Sequence, residues 1–356
     1  MVTPTSEQIQ AIDGAINAIR RNDRDYRIAG YAGTGKSTIM QYIVAESGLR
    51  IKTCAYTGKA TNVLRQKGLR SSETIHRTMY EWDDHNERFV KRPTLGCDAL
   101  AIDEGSMVPL SIWNDALSFR LPIIVVGDPG QLEPIGDDAR LMHEPNIVLQ
   151  TIHRYEGSIA WFANHVRLNN GDIPRINNEE VSVRSKTQVM NDISDPTIDV
   201  YLCGYNKTRV AMNRQLRKLR YPNDDHLLLN PSDKIIFLHN DRELSVFNGQ
   251  SADIITVKAD GSNWILADVQ LDDGRIKHDL KIWNGHFHQV TQMDWRRYPK
   301  QMAIADYGYA VTVHKFQGSE DNRVAVIDEQ CDLWDAIRHR YTAFTRARSH
   351  LRVYAD

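Results

Sequence analysis

The sequence predicts an α/β protein with two tandem domains, each a parallel sheet covered by helices. Short apolar strands alternate with helical stretches in the first third of the chain, and the same alternation returns in the last third. Two strand-rich, turn-punctuated stretches interrupt it, one in each domain. A length of 356 residues is ample for two or three domains of ordinary size.

The elements follow in order. YRIAG leads to a helix predicted over 36–46, and IKTCAYT to a helix over GKATNVLRQ. DALAID leads to a helix near SIWNDALSF, and LPIIVVGD is the next strand. Residues 79–92, MYEWDDHNERFVKR, read as two short strands around the polar turn DDHNE, a hairpin inserted in the first domain. In the second domain TIDVYLCGY precedes a helix over 207–219, then come YAVTV, RVAVIDE, a helix over 334–346 and LRVYA. Residues 232–290 are strand-rich with NG, DG and DDG turns, and read as an inserted small β-barrel. The predicted boundaries are 1–142 for the first domain, and 143–231 with 291–356 for the second.

Composition excludes several classes. The hydrophobic fraction of 41% and charged fraction of 25% are those of a soluble globular chain. No apolar run approaches the ~20 residues that span a bilayer, and the N-terminal MVTPTSEQIQ carries no export pattern. Cys54, Cys97, Cys203 and Cys331 are scattered, which fits reduced thiols in a cytoplasmic protein better than a zinc site or disulfide framework. A net charge of −2 and a pI near 6.7 argue against bulk electrostatic binding of nucleic acid but leave room for a local basic groove.

Gly30-x-x-x-x-Gly35-Lys36-Ser37 follows a strand and opens a helix, as a phosphate loop requires. Its glycines let backbone N–H groups, including those around Gly33, Thr34 and Thr38, close on phosphates, and the helix N-terminus adds positive potential. Lys36 would neutralise the β- and γ-phosphates of ATP, and Ser37 would ligate Mg2+. At the end of DALAID, Asp103 would hold that magnesium through its water shell, and Glu104 would orient and deprotonate the attacking water.

Taken in order, these and later segments resemble superfamily 1 helicases, in particular the RecD-like and Dda-like group that moves 5′→3′ on DNA. TSEQIQAI resembles the adenine-reading segment, with Gln8 bonding the base. YTGKA and TIHR resemble strand-contacting motifs. VVGDPGQLEPIG resembles motif III, where Gln131 senses the γ-phosphate, and TIHRYEGSIAWFANHVR motif IV, with Arg154 on phosphate. VTVHKFQGSE resembles motif V, bringing Gly318 and Glu320 to the nucleotide, and YTAFTRAR motif VI, setting Arg346 against the γ-phosphate. FNGQSADI resembles the group's second-domain insertion. The resemblance implies two RecA-like P-loop domains in tandem, with a β-hairpin inserted in the first and an SH3-like barrel in the second.

Thr57, Lys59 and His76 in the first domain, and Thr312, His314 and Lys315 in the second, are the candidate strand contacts, placed alike at strand–helix junctions. Trp82 and Phe89 on the hairpin arms read equally as a cross-strand pair or, by the resemblance, as a pin that splits duplex. Phe316 stands where the family more often has a small residue and is expected to pack in the interior. The expected activity is a monomeric ATP-dependent helicase on single-stranded DNA and fork junctions, of phage or plasmid type. A single-strand binding protein or replisome component is among its partners. The alternatives are an RNA helicase, or a nucleic-acid-stimulated translocase that remodels protein–DNA complexes and unwinds weakly.

Overall fold

The computed structural model describes all residues except 1–2, 84–87, 135–136, 152–156, 223–227, 242 and 292–297. It divides into two compact units, Met1–Ala160 and Trp161–Asp356.

The first unit opens with α1 (Ser6–Arg21). Thr5 caps it in a reciprocal box: Gln8 N donates to Thr5 Oγ1 at 3.4 Å, and Thr5 N donates to Gln8 Oε1 at 3.0 Å. Such a box contributes about 1 kcal/mol to helix stability. Ala11, Ile12, Ala15, Ile16 and Ile19 form one helical face, buried in the same core as Ile39, Met40 and Ile43. In chain order come β1 (Asp25–Gly30), α2 (Lys36–Glu46), β2 (Ile51–Ala55), α3 (Gly58–Gln66), β3 (Glu73–Thr74) and α4 (Ile75–Met79). The hairpin strands β4 (Tyr80–Asp83) and β5 (Arg88–Lys91) follow, then β6 (Ala99–Asp103), α5 (Leu110–Ser118), β7 (Ile123–Gly127) and β8 (Ile147–Leu149).

All neighbours in the main sheet run parallel, in the order β3-β2-β6-β7-β1-β8. Every residue of β6 and β7 is buried, which explains why ALAID and IIVVG are unbroken apolar runs rather than alternating ones. Because β6, β7 and β1 are consecutive in this order, the segments following their carboxyl ends meet on one edge of the sheet, where ligands of parallel α/β sheets bind.

The predicted boundary at 142 falls too early. β8 adds to the edge of the first sheet through Ile28↔Ile147 and Gly30↔Leu149, so residues 143–160 belong to the first unit. The hairpin is present, with Trp82 opposite Phe89, while its turn at 84–87 lies outside the described residues.

The helix α6 (Ser158–Leu168) crosses the unit boundary, and the second unit continues with β9 (Val181–Ser185), α7 (Val189–Asp192), β10 (Val200–Cys203) and α8 (Asn206–Arg220). Then come β11 (Lys234–Phe237), β12 (Ser251–Asp260), β13 (Trp264–Leu271), β14 (Ile276–Trp283) and β15 (Ala303–Tyr307). β16 (Ala310–Thr312), α9 (Val313–Phe316), β17 (Asp321–Ile327), α10 (Ala336–Phe344) and β18 (Ala347–Ala355) complete the chain. The second sheet is also wholly parallel, ordered β16-β10-β17-β18-β9.

β11 to β15 close into a five-stranded barrel filled by Ile235, Phe237, Ile254, Ile265, Val269 and Ile282, among others. The predicted span of 232–290 misses its last strand. β15 pairs antiparallel with β11 and parallel with β14, which closes the barrel at 303–307. Three residues further on the chain enters β16, so the barrel runs directly into the strand that precedes α9. The helix expected over 334–346 starts later, at Ala336. The Asp335 side chain accepts from Ile337 N and Arg338 N and fixes that start. No helix among the described residues is long and apolar enough to cross a membrane.

Candidate functional site

The first unit builds a phosphate loop at the carboxyl end of β1. Gly33 and Gly35 have φ of +85° and +83°, the left-handed region that glycine enters without strain. A Cβ on Gly35 would also stand 2.5 Å from Gln8 Nε2, so a side chain there would displace the Gln8 amide. Thr34 is buried and donates from Oγ1 to Tyr31 O at 2.9 Å. Thr38 N bonds Gly35 O at 2.9 Å in the first turn of α2.

Lys36 Nζ donates to Gly30 O at 2.7 Å and Tyr31 O at 3.0 Å, and lies 3.5 Å from Asp128 Oδ2. Asp128 follows β7 and is wholly buried; its other oxygen accepts from Gly130 N at 2.9 Å. Gln131 Nε2 reaches Asp128 Oδ2 at 3.5 Å, while Gln131 Oε1 is buried with no hydrogen-bond partner among the described residues. Lys36, Asp128 and Gln131 thus form a chain from the loop to an amide with a spare acceptor, which suits sensing of a phosphate-bound water. Asp128 was missed in the sequence. The signal was there: LPIIVVGD ends a buried apolar strand on a carboxylate, as DALAID does.

Asp103, at the end of β6, is 8% exposed and accepts from Glu104 N at 3.0 Å. Burial pushes its carboxyl above the ordinary carboxylate range, opposed by that N–H and by the charges of Lys36 and Lys67. Glu104 has φ +56°, a left-handed conformation that costs a non-glycine residue about 1–2 kcal/mol. The next residue is closely packed: a Cβ on Gly105 would stand 2.4 Å from Val125 Cγ1. Ser37 Oγ accepts from Lys67 Nζ at 3.1 Å.

Gln8 differs from its expected role. Its amide donates from Nε2 to Thr34 O at 3.0 Å and accepts at Oε1 from Thr5 N, so it braces the loop against α1. Contact with a base would exchange those bonds.

Of the strand-contact candidates in this unit, Thr57 caps α3, accepting from Ala60 N at 3.1 Å, and Lys59 lies in the same first turn. His76 is exposed between two tyrosines, 5.9 Å from Tyr56 and 5.9 Å from Tyr80, stacked on the latter. Sequence reading found His76 but not this three-ring cluster, because Tyr56 and Tyr80 come to the ring from segments 20 and 4 positions away. Phe89 is exposed on its hairpin arm, a position open to a base or a duplex end.

The second unit places its candidates less openly. Thr312 is 6% exposed, which leaves little surface for a strand. His314 sits in a ring cluster, 5.9 Å from Trp334 and 5.8 Å from His339. Trp334 stacks on His339 at 4.7 Å, and burial lowers the His339 pKa to about 4, so this cluster is neutral near pH 7. Burial and the charge of Arg209 lower the Lys315 pKa as well. Phe316 is buried, as expected.

Gly318 has φ +70°, and Glu320 accepts from Arg348 Nε at 3.1 Å. Arg346 is 4% exposed and donates to Thr342 O at 2.9 Å, Ser319 O at 3.2 Å and Thr345 Oγ1 at 3.0 Å. Its guanidinium therefore ties the segment after α9 to α10 within its own unit. Arg154 lies outside the described residues.

A family described as an AAA domain matches residues 4–188, and one described as a UvrD-like helicase C-terminal domain matches 307–354. The first match covers more than half of the chain, and the chain belongs to that family. The ATP-dependent RecD2 DNA helicase of Deinococcus radiodurans is 26% identical over 349 residues, covering 90% of this chain and 45% of the relative. Curated relatives are longer: the chain spans from about a third to just under half of the length of those most similar to it. Among solved structures, one of two coordinating Pif1 helicases at forked double-stranded DNA matches with a TM-score of 0.63 at 17% identity, covering 100% of this chain and 92% of that one. A Bacteroides Pif1 helicase in complex with ADP-AlF3 and single-stranded DNA matches at 0.60 with 18% identity, covering 100% and 93%. These two likenesses show the fold.

Proposed function

We propose that this chain is an ATP-dependent DNA helicase motor that moves 5′→3′ on single-stranded DNA and unwinds duplex at forks. The observation that carries the reading is the Lys36–Asp128–Gln131 chain beside Asp103 and Glu104 at the carboxyl edge of the first sheet. The UvrD-like helicase match in the second unit, and relatives and neighbours named as DNA helicases, support it.

The residues divide the chemistry. Backbone N–H groups of 33–38 and Lys36 bind the phosphates of ATP, and Glu104 takes a proton from the attacking water. Gln131 holds that water through its spare Oε1. Ser37 Oγ and the buried Asp103 carboxylate are hard oxygen donors that fit magnesium, which would neutralise developing charge on the phosphates. Arg154 and Arg346 are the proposed transition-state arginines. For Arg346 this requires exchanging its bonds to Thr342, Ser319 and Thr345 for phosphate oxygens.

Both units then act as RecA-like domains, the barrel as an SH3-like insertion, and Trp82 and Phe89 as the pin. Differential grip on the strand with and without ATP gives net motion, since only a difference in affinity between states can shift an equilibrium. Thr57, Lys59 and the Tyr56–His76–Tyr80 cluster supply one grip, and His314 and Lys315 the other.

The substrate is tested by hydrolysis rates with oligo(dT) and oligo(rU) in competition. Oligo(dT) is expected to stimulate at least about tenfold, with oligo(rU) a poor competitor. Equal stimulation by both would move the reading to an RNA-directed motor.

A further inference from the structure

The ammonium of Lys67 donates to Ser37 Oγ at 3.1 Å. Ser37 follows the phosphate-loop lysine at the start of α2, whereas Lys67 caps the carboxyl end of α3. The charge of Lys67 also acts on the Asp103 carboxyl, the other side chain that fits magnesium. A lysine here is not required by the helix. The C-cap geometry rests on backbone bonds from Lys67 N, and the residue is exposed.

A hydroxyl oxygen has two lone pairs, so exclusion comes from charge: an ammonium and a divalent cation held on one oxygen stand a few ångströms apart and repel, and each disfavours the other. We propose that Lys67 is a positioning residue that competes with magnesium for Ser37. It holds the hydroxyl and offsets Asp103, and magnesium enters only as Lys67 withdraws. The free Mg2+ concentration at which nucleotide binds tightly is thereby set higher than Ser37 and Asp103 alone would set it.

The position of Lys67 gives this competition a use. α3 carries Thr57 and Lys59, candidate strand contacts, at its start and Lys67 at its end, nine helical residues apart. A helix is stiff over that length, so a pull at its first turn is felt at its last. The metal site and the strand-binding segment thus share one rigid element.

The inference rests on the phosphate-loop reading and is tested by binding alone, without turnover. Affinity for a fluorescent ADP analogue is measured across free Mg2+ concentrations for the wild-type chain, Lys67→Met and Lys67→Arg. Lys67→Met keeps the aliphatic stem and removes the charge, and is expected to lower the Mg2+ midpoint roughly three- to tenfold, the range of an exposed charge-assisted hydrogen bond. Lys67→Arg keeps a cation and stays within about twofold of wild type. A midpoint unchanged or raised in Lys67→Met overturns the proposal while leaving the nucleotide site intact. Failure of the wild-type chain to bind the analogue at any Mg2+ concentration overturns this inference together with the function it rests on. Thermal unfolding of each variant separates a lost fold from a shifted midpoint.

Discussion

Lys36→Ala is expected to lower ATP hydrolysis by about a thousandfold or more while leaving single-strand binding within a few-fold of wild type. The ammonium neutralises phosphate charge that grows toward the transition state, and no other lysine follows the loop glycines. The substitution also removes the cation from Asp128, a wholly buried carboxylate, and one donor each from Gly30 O and Tyr31 O. Asp128 keeps its bonds from Gly130 N and Gln131 Nε2, so a stability loss of about 1–3 kcal/mol is expected rather than unfolding. Hydrolysis assays, DNA anisotropy and thermal unfolding on one preparation check all three parts. Unwinding that survives Lys36→Ala would falsify the assignment of the motor to this loop.

Glu104→Gln should separate binding from chemistry. The amide has the size of the carboxylate but cannot accept the proton of water, so hydrolysis is expected to fall about a hundred- to ten-thousandfold. ADP and ATP affinity should stay near wild type, because the phosphates are bound by the loop and Lys36. The substitution keeps side-chain size and does not alter the backbone at Glu104, so thermal unfolding is expected to stay near wild type. A variant that loses nucleotide affinity as well would make Glu104 a binding residue, and the water base would have to be sought elsewhere.

The features most legible in the sequence are those made by neighbours along the chain. The loop after YRIAG and the buried strands ALAID and IIVVG need only a few consecutive residues, and each element stands where it was expected. What was not legible depends on long-range pairing. Ile147–Leu149 is a strand only because β1 offers it an edge, and 303–307 joins the barrel only because β11 lies open to it.

The site divides the same way. Lys36, Ser37 and Asp103 were readable from strand-end patterns and Gln131 from the resemblance alone, whereas the contacts of Asp128 and Lys67 with the loop cross space from segments 92 and 31 positions away from Lys36. Gln8 and Arg346 show a different limit. Sequence pattern supplied the residue types, but the hydrogen bonds they make, to Thr34 O and to Ser319 O, follow from packing that no motif records.

The central claim is that the phosphate loop drives directed motion along DNA. Two duplexes identical but for a single-stranded tail on the 5′ or the 3′ side test it most directly, under single-turnover conditions with ATP and Mg2+. Rapid unwinding of the 5′-tailed duplex, with the 3′-tailed one released no faster than without ATP, is the predicted result. Preferential opening of the 3′-tailed duplex would contradict the direction. Release of neither, despite DNA-stimulated hydrolysis, would contradict unwinding itself.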